Sequence, residues 1–416
     1  MSERQGVTRR EFIRGSVRAA ATFTIVPRHV LGGPGQTPPS ETFGGALIGC
    51  GGRGPGTFRD LTDKHGLNIK QLARCDVKFK GKADNKTIYT DFRRVVERKD
   101  IDIVAIATPP HWHALISIAA MEAGKDVVCE KPMTRFIAEG RAVVEAERRY
   151  NRIFQVGTYG RFGACKSRTS QTIHKIMRSG LLENNPGVHI LRGPRGSNFK
   201  VRQWSGKVNL QPQEIPRHLD WDMYCGPAPL RSYHPHRTGG THRGYWDYEG
   251  GGLADMGQHF LDPVQWIFGK DDTSPVEIEA FAPPAHPEAC GMWGWVEMKY
   301  ADGFTLVLDS GEWGQRYDRK QEYRMSLDDL NEEDRNKLEL LPDPEPLIGF
   351  GEAVKTRKKP GGHAEVGNRS ATLLHLANIA IRVGRKIQYD PAKEQIVGDE
   401  EANRLVNPPM RAPWHL

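Results

Sequence analysis

A chain of 416 residues exceeds what one ordinary hydrophobic core serves, so two domains are expected. With 38% hydrophobic and 26% charged residues it is neither a disordered chain nor an integral membrane protein, and no apolar run nears the ~18 residues of a membrane span. The formal net charge of +8 raises nucleic acid as a partner. Half of that excess lies in residues 1–38, however, and the rest is spread over solvated patches such as KFKGK (78–82) and KTRKK (355–359), so no nucleic-acid partner is expected.

The leader carries its own signal. TRREFIR (8–14) is a twin-arginine pattern, followed by a mild apolar segment, Ala19 to Val26, and a Pro/Gly/Ser linker. This resembles a Tat export signal and implies a periplasmic or otherwise exported protein; the alternative is a basic amphipathic arm. Of the six cysteines, Cys50, Cys75 and Cys129 close predicted buried strands, where reduced thiols pack as small hydrophobes.

From Gly44 short apolar strands alternate with helical stretches. The strand GGALIG leads to a helix near Thr57–Lys64, the strand IKQLARCD and a helix near Phe92–Arg98. The strand IDIVAIAT (101–108) then leads to a helix over Trp112–Ala123, the strand DVVCE and a long helix to Tyr150. This alternation predicts a doubly wound α/β fold with a parallel sheet and right-handed crossovers. At the first turn GCGGRG sets Gly49, Gly51 and Gly54 into G-x-G-x-x-G between strand and helix, with Gly52 and Arg53 inside the turn. Asp76 closes the second strand, where a carboxylate accepts ribose hydroxyls and repels a 2′-phosphate. NAD is the expected cofactor. NADP stays possible because Lys78, Lys80 and Lys82 follow closely.

Ligands of open α/β sheets bind beyond the carboxyl ends of the strands. That places Thr108, Pro109 and His113 of ATPPHWH, and Glu130 and Lys131 of CEKP, at the cofactor edge. Lys131 is either an ordinary strand-end lysine or a group tuned by its place beside the cofactor. Farther on, LADMGQHFLD (253–262) sets Asp255, His259 and Asp262 on one face of a predicted helix. They are either a structurally satisfied histidine with a capping Asp or part of a site. Pro263 should kink or restart that helix.

Residues 158–250 are rich in aromatics and histidine. Tyr159, Arg161, His236, Tyr245, Trp246 and Asp247 are candidates for contact with a sugar, with most of them expected in packing. His234, His236 and His242 match no familiar zinc spacing, so no metal is expected. VEIEAFA (276–282), WGWVEMKY (293–300) and FTLVLDS (304–310) read as strands, the last two joined at Asp302-Gly303, with Trp293, Trp295 and Val296 filling the covered face. Residues 325–345 read as an acidic, irregular excursion, and Ala371–Val383 as an apolar helix docking on the scaffold.

GCGGRG, ATPPHWHALISIAAMEAGKDVVCEKP and LADMGQHFLD together resemble the Gfo/Idh/MocA oxidoreductases, the glucose-fructose oxidoreductase and inositol dehydrogenase family. The similarity runs from about residue 44 to the end, and RSATLLHLANIAIRVGRK and RAPWHL look like the Tat-exported bacterial branch. The resemblance implies an NAD-binding Rossmann domain (39–157) and a substrate-binding, oligomerising α/β domain (158–416) with a large open, mostly antiparallel sheet, in a homodimer or homotetramer. It also implies Lys131 at the nicotinamide ribose and reacting hydroxyl, with Asp255 and His259 lining the substrate pocket. On that basis His259 is the base, Asp255 orients the imidazole or binds a neighbouring hydroxyl, and Lys131 polarises the developing alkoxide. Tyr159, Arg161, Tyr245, Trp246 and Asp262 are the expected substrate contacts. The reading is an oxidoreductase moving hydride between a tightly held nicotinamide and a secondary hydroxyl of a sugar, glycoside or cyclitol. Its alternatives are a redox glycosidase and a non-catalytic sugar-binding protein.

Overall fold

The computed structural model describes residues 42–181, 187–192, 199–324 and 326–416. The twin-arginine pattern falls outside them. Residues 44–416 form one compact unit. Its first sheet is built from β1 (Phe43–Ile48), β2 (Ile69–Cys75), β3 (Ile88–Tyr89), β4 (Ile103–Ile106), β5 (Asp126–Cys129) and β6 (Phe154–Val156), in the order β3-β2-β1-β4-β5-β6. The β2–β3, β1–β4, β4–β5 and β5–β6 pairings are all parallel. β4 and β5 are buried at every position, as strands covered on both faces must be.

The helices that matter most for the site are α1 (Gly54–Asp63), α2 (His113–Glu122), α3 (Ile137–Tyr150), α4 (Gly160–Lys166), α5 (Gly251–Ile267) and α6 (Ala364–Val383). α1 starts three residues earlier than its apolar pattern suggests, because Pro55 supplies helical φ at a position whose N–H has no intrahelical partner. α5 runs through Pro263 as one element, so the expected restart does not occur. A Cβ on Gly160 would lie 3.1 Å from both Pro263 Cγ and the His259 carbonyl oxygen, so α4 closes over the proline.

The second sheet joins β7 (Val188–Arg192), β8 (Glu277–Phe281), β9 (Trp295–Lys299), β10 (Thr305–Asp309), β11 (Ile387–Asp390) and β12 (Gln395–Val397) in the order β12-β11-β8-β9-β10-β7. Only β7 and β10 run parallel; the other pairings are antiparallel. Val296, Met298, Leu306 and Leu308 face the helical layer, together with Trp293. Trp295 faces the other way, against Val307 and Tyr317, because neighbours on a strand cannot share a face; its expected place beside Val296 is thereby corrected. The acidic stretch holds a helix, Glu332–Leu340, whose Leu338 packs with Leu330 on Ile176, so it is not an irregular excursion.

α6 joins the two cores: Ala364 and Ala371 pack with the first sheet, and Leu373, Leu374, Leu376 and Ile379 with the second. Its crossing with α3 is close enough that a Cβ on Gly140 would lie 2.0 Å from Asn368 Oδ1.

Arg161 on α4 is 1% exposed and binds two carboxylates. Its guanidinium donates to Asp262 Oδ1 at 2.9 and 3.0 Å and to Asp271 at 2.6 and 2.8 Å, while Thr158 Oγ1 donates to Asp262 Oδ2 at 2.7 Å. Removing one partner from such a network strands a buried charge, at a cost of about 3–5 kcal/mol. Arg161→Leu should lower the unfolding free energy from urea titration by that amount, and Arg161→Leu/Asp262→Leu should recover part of the loss; equal losses in the two variants would contradict this account.

Candidate active site

One cavity of about 600 Å³ opens at the carboxyl ends of β1, β2, β4 and β5. Its floor is the glycine turn, in which the three motif glycines have separate physical tasks. Gly49 adopts φ 88°, and a Cβ there would lie 2.5 Å from the Ala107 carbonyl carbon. Gly51 and Gly52 line the cavity with no atom within 4 Å of their would-be Cβ, leaving backbone open to a ligand. Gly54 packs from beneath, its would-be Cβ 2.1 Å from the Gly49 carbonyl oxygen, and so supports the turn without lining the cavity. α1 begins directly behind this turn without a side-chain cap, its Gly54 N–H donating to the Gly51 carbonyl at 2.8 Å, so the positive end of the helix lies next to the open glycines.

Asp76 ends β2 and lines the same cavity; its Oδ2 accepts the Cys50 N–H at 2.8 Å and its Oδ1 the Lys78 N–H at 2.9 Å. These bonds fix the carboxylate beside the turn and leave lone pairs for hydroxyls. An open glycine turn, a helix N-terminus and a carboxylate in this order fit the pyrophosphate and ribose of a dinucleotide. Thr108 and Pro109 line the next stretch of wall, as does Glu130, whose Oε1 accepts Thr57 Oγ1 at 2.6 Å and Arg53 Nε at 3.1 Å. Arg53 also pairs with Asp60.

His113 is not at the cavity. Its ring nitrogens lie 2.8 Å from the carbonyl oxygens of Pro132 and Thr108, and burial holds its pKa below the ordinary value. The expected cofactor contact is instead a brace between the loops after β4 and β5. His111 is likewise committed, 2.8 Å from the Tyr224 carbonyl oxygen, with burial pushing its pKa to about 3.

At the far end of the cavity Lys131 and His259 line the same space. Lys131 Nζ donates to Asp255 Oδ1 at 2.9 Å and also to the Asp255 carbonyl, so the ammonium is held against the first turns of α5. Arg243 Nε pairs with the same Oδ1 at 2.7 Å. Burial works to raise the Asp255 pKa, but Lys131 and Arg243 together hold it below the usual carboxylate range. Asp255 therefore orients the lysine; among the described residues no hydrogen bond joins it to His259, so its expected role on the imidazole is corrected. His259 has its pKa lowered first by burial and then by Lys131, which keeps the ring neutral near pH 7.

Gln258, between Asp255 and His259 in sequence, locks the assembly. Its Oε1 accepts the Met133 N–H at 2.8 Å, while Nε2 donates to the Gly367 carbonyl at 2.9 Å and to Ser370 Oγ at 2.8 Å. The lysine loop, α5 and α6 are thus tied at one buried amide.

Of the expected substrate contacts only Tyr159 lines the cavity, with Lys64 Nζ 4.6 Å from its ring centre and burial pushing its pKa to about 12. Arg161 and Asp262 are spent on each other. Tyr245 is buried, its hydroxyl 2.7 Å from His236 Nδ1, and Trp246 donates its indole N–H to the His286 carbonyl at 2.9 Å. Their flat rings fill a core, which uses the same side chains as a sugar pocket. Asp247 is engaged by Arg231 at 2.8 Å. Sequence reasoning missed Arg243, Glu249 and Tyr224, all on the cavity wall, with His242 Nε2 2.9 Å from Glu249. The signal available was the glycine run 250–252, which marks a close approach at the start of α5. Among the described residues no group of three or more His, Cys, Asp or Glu side chains is arranged to hold a metal ion, and no described helix is long and apolar enough to cross a membrane.

Comparison with known proteins agrees with this construction. Residues 43–158 match a family model described as "Oxidoreductase family, NAD-binding Rossmann fold", and residues 166–416 match one described as "Oxidoreductase family, C-terminal alpha/beta domain". Levoglucosan dehydrogenase of Pseudarthrobacter phenanthrenivorans is 45% identical over 67 residues, 16% of this chain and 17% of that protein. Inositol 2-dehydrogenase 4 of Saccharopolyspora erythraea is 39% identical over 88 residues, 21% and 26% of the two chains. A glycosyl hydrolase family 109 protein of Solibacter usitatus is 35% identical over 118 residues, 24% and 26% of the two chains. The matched segments thus span about a quarter or less of these relatives. The WlbA dehydrogenase from Bordetella pertussis, solved with NADH and UDP-GlcNAcA, shares the fold with a TM-score of 0.52 and 15% identity over 84% of this chain and 99% of that one. The glycine-turn domain and the mixed-sheet domain together place the chain in the Gfo/Idh/MocA oxidoreductase family.

Proposed function

We propose that this NAD-binding oxidoreductase moves hydride between a secondary hydroxyl of a sugar, glycoside or cyclitol and a tightly held NAD. The observation that carries the reading is the meeting of Lys131 and His259, from the end of β5 and from α5, on one cavity with the Gly49–Gly54 turn and Asp76. Bound NAD supplies the carbon that accepts or returns the hydride. Everything else is done by the chain. Asp76 favours a free 2′-hydroxyl on the ribose and so NAD over NADP. The Lys131 ammonium, aimed by Asp255, directs its remaining donor at the hydroxyl oxygen and stabilises the charge that develops there as the carbon–hydrogen bond weakens. His259, neutral because burial and Lys131 disfavour its charged form, takes the hydroxyl proton. In the reverse direction the same ring returns that proton.

The twin-arginine pattern gives this reading a further element. An exported enzyme meets little free nucleotide, so NAD loaded before export has to stay bound and be recycled by a second substrate or an electron carrier.

The test is mass analysis of the denatured protein for nucleotide, paired with a panel of sugars and cyclitols read by the absorbance of reduced nicotinamide. A bound NAD and a lasting rise with one of them is the expected result. Cleavage of an aryl glycoside without net nicotinamide change would replace the reading with a redox glycosidase, and neither signal would leave a sugar-binding protein. Lys131→Met and His259→Asn should each lower kcat by about 10²–10³, with sugar affinity changed far less; an equal loss in KM alone would argue against their roles.

The electrostatics give an independent check. By proton NMR the His259 ring should titrate below the ordinary pKa of about 6.5, and activity should rise with pH through that lowered value and then level off. Lys131→Met removes a neighbouring cation, so the His259 titration should move upward; no movement would show that the two groups do not share a site.

A further inference from the structure

Beside Asp76 the cavity is walled by apolar and aromatic residues from two parts of the chain. Val77, Phe92, Trp112 and Ile116 belong to the nucleotide domain, whereas Met223 and Tyr224 come from the short helix Trp221–Cys225, more than a hundred residues later. That helix is seated on the nucleotide domain by main-chain contacts: the Asp220 N–H donates to the Val77 carbonyl at 2.9 Å, and the Trp112 indole N–H donates to the Met223 carbonyl at 3.0 Å. Gly226, at φ 53°, lies so close to the indole that a Cβ there would be 2.2 Å from a ring carbon. The backbone therefore presses on one side of Trp112.

Residues 411–414 hold this arrangement from outside the cavity. Arg411 donates to the Gly226 carbonyl at 2.9 Å, to Asp222 Oδ1 at 2.7 Å and to the Asp222 carbonyl at 2.9 Å, and its own N–H reaches the Pro227 carbonyl at 2.8 Å. A planar guanidinium thereby gathers the carbonyls at the end of the helix, where a cation is favoured. Trp414 meets Trp112 edge-on, ring centres 4.8 Å apart at 79°, and lies 6.3 Å from Phe92, while the Arg93 guanidinium covers it at 5.2 Å. Two of the wall's aromatic rings are thus backed by one residue.

We propose that the adenosine end of the nucleotide occupies a slot completed from outside the nucleotide domain by Met223 and Tyr224, and that Arg411 and Trp414 are positioning residues that hold it closed and set how slowly the cofactor leaves. Flat apolar walls suit a purine ring, and the slot adjoins Asp76, which marks the ribose. The inference rests on the reading that this cavity takes NAD. Neither Arg411 nor Trp414 lines the cavity, so both act through Trp112 and the 221–226 segment.

The test uses full-length protein freed of nucleotide, with NAD and ADP-ribose as probes and dissociation followed by stopped-flow fluorescence. Trp414→Ala and Arg411→Ala should each speed release of both probes by about tenfold, since interface changes act mainly on the off-rate. Trp414→Phe should restore most of the retention, while Arg411→Lys, which cannot reach three acceptors in a plane, should not. Melting of each nucleotide-free variant is measured alongside, so that a general loss of structure is separated from faster release. Unchanged release of both probes would overturn the proposal and leave the NAD reading intact. Faster release of NAD with ADP-ribose unchanged would overturn it as well, because the effect would then lie at the nicotinamide end. If the parent protein binds neither probe, the reading of the cavity itself fails, and this inference with it.

Discussion

The site depends on a single ion pair made across the molecule. Lys131 lies in the loop just after β5 of the first sheet, Asp255 lies in the second turn of α5, and the 2.9 Å bond between them joins residues 124 positions apart. Both partners are largely withdrawn from water. A buried pair of this kind adds little net stability over a well-packed apolar pair, but loss of either member is costly. What it supplies is orientation. The ammonium is fixed at the edge of the cavity with one donor uncommitted, and the buried Gln258 amide fixes the same loop a second time through the Met133 N–H.

The charges around this pair explain why two basic groups coexist in a small space. Asp255 is flanked by Lys131 and Arg243, so its carboxylate remains ionised despite burial. Lys131 in turn makes a second positive charge unfavourable on His259, and burial acts in the same direction. One cation and one neutral imidazole suit removal of a proton from a hydroxyl, because the oxygen needs a positive neighbour and the proton needs an unprotonated nitrogen with a lone pair to accept it.

The chain announces the nucleotide turn and Lys131 because local pattern determines them. A strand, three glycines at fixed spacing, a helix and a carboxylate at the next strand end leave little freedom, and Gly49, Gly51 and Gly54 each meet a distinct steric demand. Asp255 and His259 were legible as a helical pair, though their partners were not. Arg161, Asp262, Tyr245 and Trp246 show the limit of such reading: an aromatic or charged side chain looks the same whether it faces a ligand or a neighbour, and burial is decided by distant segments. β7 escaped notice for the same reason, since its partner β10 lies more than a hundred residues downstream. Arg243 and Glu249 were hidden in the segment leading into α5, next to which Gly252 approaches the Phe199 and Lys200 carbonyls closely.

The helix Ala364–Val383 carries a consequence for how the protein comes apart. Its early residues belong to the apolar interior of one sheet and its later ones to that of the other, with Asn368 wedged against Gly140 between them. A rod shared in this way denies either half a private melting event: pulling it free exposes both interiors together. Heat should therefore dismantle residues 44–416 in one cooperative step, although the architecture contains two sheets, each with its own main core.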